Sequence, residues 1–239
     1  MSERILIIGL PGAGYTSGEE IFDESITQIS ATNIRKSIGV KMINDVICIE
    51  GIFDNPQEII NLAKKQKYYS CEDNPTVKNT NINYNGKRTD HLSNILSDDE
   101  YYELTKKIIS KIFKNVPSSN IKAQTICLFH YLTEMDTQNN AWTHKDTSLY
   151  SGVIYLSEGF NDKYNNHGTK IIIGRDVLNY QNQFNRLVLY RGDYFHSANF
   201  GFGQNIDNSR LTLNFFINEI TIDMKNENNV REKYYDYKT

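Results

Sequence analysis

Two residues of one triplet, His144 and Asp146, and two further along the chain, His196 and Arg210, have types and spacings that could do chemistry together. His144 and Asp146 stand two apart, so on an extended segment their side chains leave the same face, while Lys145 points away. A second imidazole from a neighbouring strand, for which His196 is the candidate, completes a 2-His-1-carboxylate set. Such a set occupies one face of an octahedral Fe(II) and leaves three positions open for a co-substrate and dioxygen. It is the geometry of a catalytic site and not of a closed structural one.

Taken alone, His-x-Asp is a common triplet, and the surrounding elements narrow its meaning. Residues 149–157 read as a strand just after it, and residues 185–190 as another. A Gly192-Asp193 turn signal then brings back an extended Tyr194-Phe195-His196-Ser197. Residues 209–217 form the strongest β pattern in the chain, with Leu211, Leu213, Phe215 and Ile217 on one face and Arg210, Thr212 and Asn214 on the other. That polar face is either a solvated sheet surface or the lining of a barrel, where Arg210 offers a planar fork of donors to a carboxylate. Phe216 on the same face and the metal triplet upstream favour the lining.

Two helices precede this region. One starts at Asn55, with Pro56 in its first position, Glu58 three residues after the cap, an apolar side of Ile59, Ile60 and Ala63, and Lys64 and Lys65 at its end. The other opens on a Ser97 to Glu100 capping box and carries Leu104, Ile108, Ile109, Ile112 and Phe113 as a stripe before Pro117. Stripes of this kind cover the apolar outer face of a β core. Residues 46–50 read as a further strand. The polar stretch between the helices contains Asn85-Gly86, a turn signal, followed by Lys87 and Arg88, which read as a solvated charge pair, attraction of an acidic group on a substrate being the less common alternative. His91 and His167 read as solvent-facing loop residues, and His130 as a strand histidine packed against the core or a covering helix. The glycines between 9 and 14 lack the Lys-Ser/Thr of a phosphate loop and read as a strand entering a turn. Trp142 and the loop from 158 to 168 are candidates for the rim of the site.

The 239 residues suit a single unit: N-terminal strands and supporting helices over 1–120, a β core over 121–222 and a charged, tyrosine-rich tail over 223–239. A hydrophobic content of 39% excludes disorder as the general state. A net charge of -3 argues against broad nucleic-acid binding. Three scattered cysteines show neither a disulfide framework nor a metal pair, which fits a reducing cytoplasm. No apolar run approaches the length of a membrane span, so no membrane association is expected.

The stretch from about Thr125 to Ile217 resembles the double-stranded β-helix, or jelly-roll, core of the Fe(II)- and 2-oxoglutarate-dependent dioxygenases, especially the prolyl-hydroxylase-like branch. The matching pieces are Thr143-His144-Lys145-Asp146, Gly152 to Leu156, Gly168-Thr169, Asn185 to Tyr190, Phe195-His196-Ser197 and Ser209 to Leu213. The resemblance implies a mainly β fold with covering helices, with iron held by His144, Asp146 and His196 and the far carboxylate of 2-oxoglutarate paired with Arg210. It also implies that Tyr131, on the strand before the triplet, contacts 2-oxoglutarate, a core or rim tyrosine being the alternative, and that Asn214 lines the co-substrate pocket. The turn after the Tyr-Leu strand departs from the family's pattern, with His167 where a glycine would lie. Retention of Asp146 disfavours a halogenase-like site, which needs that position vacated.

The reaction so implied consumes O2 and 2-oxoglutarate, with ascorbate as a supporting reductant, and hydroxylates a C–H bond of a protein side chain such as proline, or of a small molecule such as a free amino acid. Two rivals are a non-catalytic jelly-roll binding protein that keeps site-like residues, and a nucleic-acid demethylase, which the acidic balance disfavours.

Overall fold

The strand with the longest alternation, β9 (Arg210–Ile222), organises the molecule. Its neighbours are β3 (Ile121–Leu132) on one side and β4 (Tyr150–Tyr155) on the other, both antiparallel. The sheet continues from β4 to β7 (Arg186–Arg191) and β1 (Ile47–Glu50), and from β3 to the two-residue β2 (Lys87–Arg88), giving the order β1-β7-β4-β9-β3-β2. This computed structural model describes residues 46–78, 80, 83–136, 143–157 and 167–222. The glycine-rich stretch 9–14, Trp142, residues 158–166 of the rim loop and the tail from 223 onward lie outside the described residues.

Side chains alternate across a strand, so one face of β9 presents Leu211, Leu213, Phe215 and Ile217, all buried. They meet Cys127 and Phe129 of β3, Ile154 of β4 and Leu187 and Leu189 of β7 in one core. Two helices close this core from outside: α1 (Pro56–Lys64) through Ile59, Ile60 and Ala63, and α2 (Asp98–Ile112) through Leu104, Ile108, Ile109 and Ile112. Each such aliphatic side chain contributes about 1.5–3 kcal/mol when fully buried. The capping box of α2 is formed: the Ser97 hydroxyl accepts from the Glu100 amide, and the Glu100 carboxylate accepts from the Ser97 amide at 2.9 Å. At α1 Pro56 opens the helix, but the Asn55 side chain does not cap it and instead donates to Glu58 Oε1 at 2.7 Å.

A second sheet of β5 (Thr169–Ile173), β6 (Asp176–Tyr180) and β8 (Phe195–Ala198), in the order β6-β5-β8, lies across the other face. An isolated bridge between His144 and His196 adds the metal triplet to its edge. Ile171 of β5 packs with Val153 and Tyr155 of β4 and Val188 and Tyr190 of β7, so an inner layer joins the sheets. The result is a double-stranded β-helix with both helices on the outer face of the larger sheet. The hairpin of β5 and β6 was not expected from the sequence, where Gly168-Thr169 marked only a turn. Among the described residues no helix is long and apolar enough to cross a membrane.

The polar face of β9 is interior: Arg210 and Thr212 are buried and Asn214 is half-buried. Truncating the opposite face tests how far the fold rests on this strand. Leu213→Ala should lower the unfolding free energy by about 2–5 kcal/mol, and Ser97→Ala by about 1 kcal/mol, both read from the midpoint of urea denaturation.

Candidate metal centre

His196 is the best-fixed member of the site. It sits on β8, and its Nδ1 lies 2.9 Å from the carbonyl oxygen of Tyr194. A carbonyl only accepts, so Nδ1 carries the hydrogen and the Nε2 lone pair is left for a ligand. His144 faces it across the bridge: its amide donates to His196 O at 3.0 Å, the reverse bond is 2.8 Å, and the ring centroids are 4.3 Å apart. Asp146 follows on the same face, its amide donating to Gly192 O at 2.8 Å. Gly192 is required there by close approach, because a Cβ would stand 2.0 Å from Ser148 O.

The carboxylate of Asp146 lies between the imidazoles, 3.5 Å from His144 Nε2 and 3.2 Å from His196 Nε2. One ligand atom from each of the three can be chosen within 4.8 Å of the others. Adjacent ligand atoms on one octahedral face, each about 2.1 Å from a metal, stand about 3 Å apart, so the donor set fits a divalent ion with little adjustment. Ser151 Oγ donates to Asp146 Oδ2 at 2.5 Å and orients the carboxylate. Burial opposes ionisation of Asp146, but its contacts with the two imidazoles and Ser151 outweigh this and hold it far below the usual carboxylate range. It is an anion ready for a cation.

The triad opens into a cleft between the sheets, lined also by Arg88, His130, Tyr190, Arg210 and Asn214. Arg210, fully buried, faces the triad from the larger sheet. Its Nε donates to His167 O at 2.7 Å and its Nη2 to Gly168 O at 3.1 Å. Two of its nitrogens are thus fixed to backbone, which holds the guanidinium on the cleft wall. The Tyr155 ring lies 5.5 Å from the guanidinium carbon and its hydroxyl donates to Thr169 Oγ1 at 2.8 Å. Asn214 also lines the cleft, its Oδ1 accepting from Thr212 at 3.1 Å.

Tyr131 requires correction. It points to the opposite face of β3, packs on the main core and meets Tyr68 edge to face at 5.0 Å, so it has no access to a co-substrate in the cleft. The residues of β3 that line the cleft are His130 and Leu132. His130, read from the sequence as packed on the core or a helix, is a wall residue of the site whose Nε2 lies 2.7 Å from Asn85 O. Burial, with the positive charges of Arg88 and Arg210, drives its pKa down and keeps it neutral. His167 is half-buried against Phe200 and Phe202 and not a solvent-facing loop residue.

Arg88 is the second correction. Lys87 is exposed, but Arg88 turns into the cleft. Sequence reading missed Tyr190 and Arg88 on the cleft wall and Ser151, which is buried behind it and holds Asp146. The alternation of β4 carried a signal for Ser151, on the same face as Val153 and Tyr155. The sequence offered Arg88 and Lys87 together as a pair and nothing local separated the inward residue from the exposed one.

A family of unknown function (DUF6445) matches residues 156–217, which span β5 to most of β9. No curated protein matches the sequence. Among solved structures the fold is similar to a 2OG-Fe(II) oxygenase family oxidoreductase from Burkholderia pseudomallei (TM-score 0.53, 11% identity, 80% of this chain and 93% of that one). It is similar also to a prolyl-4-hydroxylase from Pseudomonas putida (TM-score 0.51, 11% identity, 77% and 98%). A third likeness is to a prolyl hydroxylase from Trichoplax adhaerens in complex with a hypoxia inducible factor peptide fragment (TM-score 0.51, 12% identity, 80% and 90%). At these identities the likeness establishes the double-stranded β-helix fold.

A Co(II) titration followed by visible absorption tests the triad. Asp146→Ala should abolish saturable binding, and Ser151→Ala should weaken it by about 10–100-fold by releasing the carboxylate, with far-UV circular dichroism unchanged in both.

Proposed function

We propose that this chain is an Fe(II)- and 2-oxoglutarate-dependent oxygenase that hydroxylates an unactivated C–H bond and releases succinate and CO2. The observation that carries this reading is the convergence of His144, Asp146 and His196 at one end of a cleft whose facing wall holds the buried guanidinium of Arg210. Two imidazoles and one carboxylate suit Fe(II), because they bind one face and leave open positions. When bound, the iron supplies the coupling of dioxygen to decarboxylation of 2-oxoglutarate and to oxidation of the substrate.

The protein's own part is placement. Tyr194 O and Ser151 hold His196 and Asp146 in ligand orientation, as hydrogen-bonded partners of metal ligands generally do. Arg210, immobilised by His167 O and Gly168 O, receives the far carboxylate of 2-oxoglutarate. Asn214 contributes a polar contact on the same wall. Fully buried Tyr155 and Tyr190 keep the inner end of the cleft dry. Ascorbate serves as the supporting reductant. None of the three cysteines is in a disulfide, which fits work in a reducing compartment, for which we propose the cytoplasm.

Two of the similar structures are prolyl hydroxylases, which supports a protein side chain such as proline as the substrate. A small carboxylated molecule, oxidised by the same mechanism, is the second reading, and Arg88 favours it.

The test is succinate formation from 2-oxoglutarate with Fe(II), ascorbate and oxygen. Native protein should form iron-dependent succinate, His144→Ala should form none, and Arg210→Gln should raise the Kd for 2-oxoglutarate by about 10–100-fold. Absence of both turnover and Fe(II)-dependent 2-oxoglutarate binding would sink the enzyme and promote the non-catalytic binding protein.

A further inference from the structure

The cleft contains a second guanidinium for which neither the metal nor the co-substrate accounts. Arg88 follows the turn at Asn85-Gly86, where Gly86 has φ +76° and a Cβ would meet Tyr131 O at 2.4 Å, so the turn lies tight against β3. Its backbone is held on both sides: it pairs with His130 of β3 and bridges Tyr69, with amide and carbonyl bonds of 3.0 and 2.8 Å. The guanidinium carbon sits over the Tyr84 ring at 4.2 Å from the centroid. That ring is itself immobile, its hydroxyl taking a hydrogen bond from Asn74 Nδ2 at 2.9 Å and lying 3.1 Å from Ser70 O. The guanidinium is therefore positioned before any ligand arrives.

Its bonding is incomplete. Among the described residues Arg88 Nε is buried without a hydrogen-bond partner, an unfavourable state for a donor and more so for a charged one. The carboxylate whose field reaches Arg88 is that of Asp146, and Asp146 is committed to the two imidazoles and Ser151. The other acid among the described residues of the cleft wall, Asp136, turns its Oδ2 to the amide and hydroxyl of Thr133, each at 2.7 Å, and is not among the groups whose charge reaches Arg88. A cation held by Asp146 would leave Arg88 without compensation. With the acids among the described residues so engaged, the group that completes Arg88 is an anion from outside, with oxygens spaced for the planar guanidinium fork.

We propose that Arg88, stacked on Tyr84, is the specificity residue that receives a carboxylate of the primary substrate, so that this oxygenase acts on carboxylic acids. The inference rests on the reading of the triad and Arg210 as the iron and 2-oxoglutarate site. It leaves Arg210 to the co-substrate and assigns Arg88 to the molecule being oxidised. The carboxylate belongs either to a free amino-acid-like molecule or to an acidic side chain within a peptide, and the two are separable by probe.

The probes are N-acetyl-L-amino acids and the corresponding N-acetyl primary amides, titrated under argon against protein with Co(II) and 2-oxoglutarate, and in parallel against metal-free protein. Binding is read by the cobalt absorption and by thermal shift. In the native protein at least one acid should bind about ten-fold or more tightly than its amide, or the Asp and Glu amides about ten-fold or more tightly than the Asn and Gln amides. Arg88→Gln should shrink that ratio to within about two-fold, and Arg88→Lys, which keeps the charge but loses the fork, should fall between. Preference confined to the amides of Asp and Glu, which keep only a side-chain carboxylate, identifies a peptide as the source. The native acid-to-amide ratio does not depend on any variant folding. Equal binding of acids and amides throughout the series, together with no preference for the Asp and Glu amides over the uncharged amides, overturns the proposal, as does a loss of 2-oxoglutarate affinity in Arg88→Gln as large as in Arg210→Gln. If metal and 2-oxoglutarate fail to bind but Arg88-dependent preference for acids persists in metal-free protein, the oxygenase reading falls and the carboxylate site stands.

Discussion

The two-residue period of β9 couples the stability of this protein to its chemistry. Leu211, Leu213, Phe215 and Ile217 are held against the helices by burial, so Arg210, Thr212, Asn214 and Phe216 have nowhere to point except between the sheets. A slip of one residue would exchange the two sets, and the core would have to accept a guanidinium. The register is secured on both flanks, where Leu128 and Val153 both pair with Asn214, so the central polar residue of the strand is bracketed by apolar partners. Arg210 is thereby fixed by hydrophobic burial on the far side of its own strand.

The smaller sheet supplies what the larger one cannot. The outer face of the larger sheet packs on helices, while the metal triplet lies on an irregular segment that touches regular structure through the bridge to His196 and the bond from Asp146 to Gly192. Such a segment can bring three ligand side chains close together, which a flat ladder with its fixed spacing does less readily. The site therefore joins one rigid wall to one edge whose shape is set by turns at Gly192 and Ser148.

Much of this was legible from residue pattern. The alternation of β9, the stripe and capping box of α2 and the spacing of the His-x-Asp triplet each depend on local periodicity, and each appears in the structure where the pattern put it. The errors share a physical origin. Parity on β3 was correctly read as separating His130 from Tyr131, but parity does not say which face meets the cleft. On β3 the run from Cys127 to His130 is buried on both faces, so polarity gave no guide. Arg88 was hidden for another reason: a strand of two residues has no period, and only its pairing with His130 turns it inward. The β5–β6 hairpin was missed because its second strand is largely exposed, with Val177 at 54%, and lacks a clean apolar face.

The metal ligands and the two cleft arginines belong to different layers. His196 rides on the smaller sheet with His144 paired at its edge, whereas Arg88 and Arg210 ride on the larger. What spaces these layers is the inner packing of Ile171, Val153, Tyr155, Val188 and Tyr190. The molecule is thus built as a calliper, with the candidate metal centre on one jaw, the two arginines on the other and the thickness of a few hydrophobic side chains setting the gap. Because interiors are packed too tightly to absorb a lost methylene group unnoticed, a change of volume at Ile171 or Val188 would alter the distance the instrument measures. Preference for a longer or shorter ligand can therefore drift through residues that never touch it.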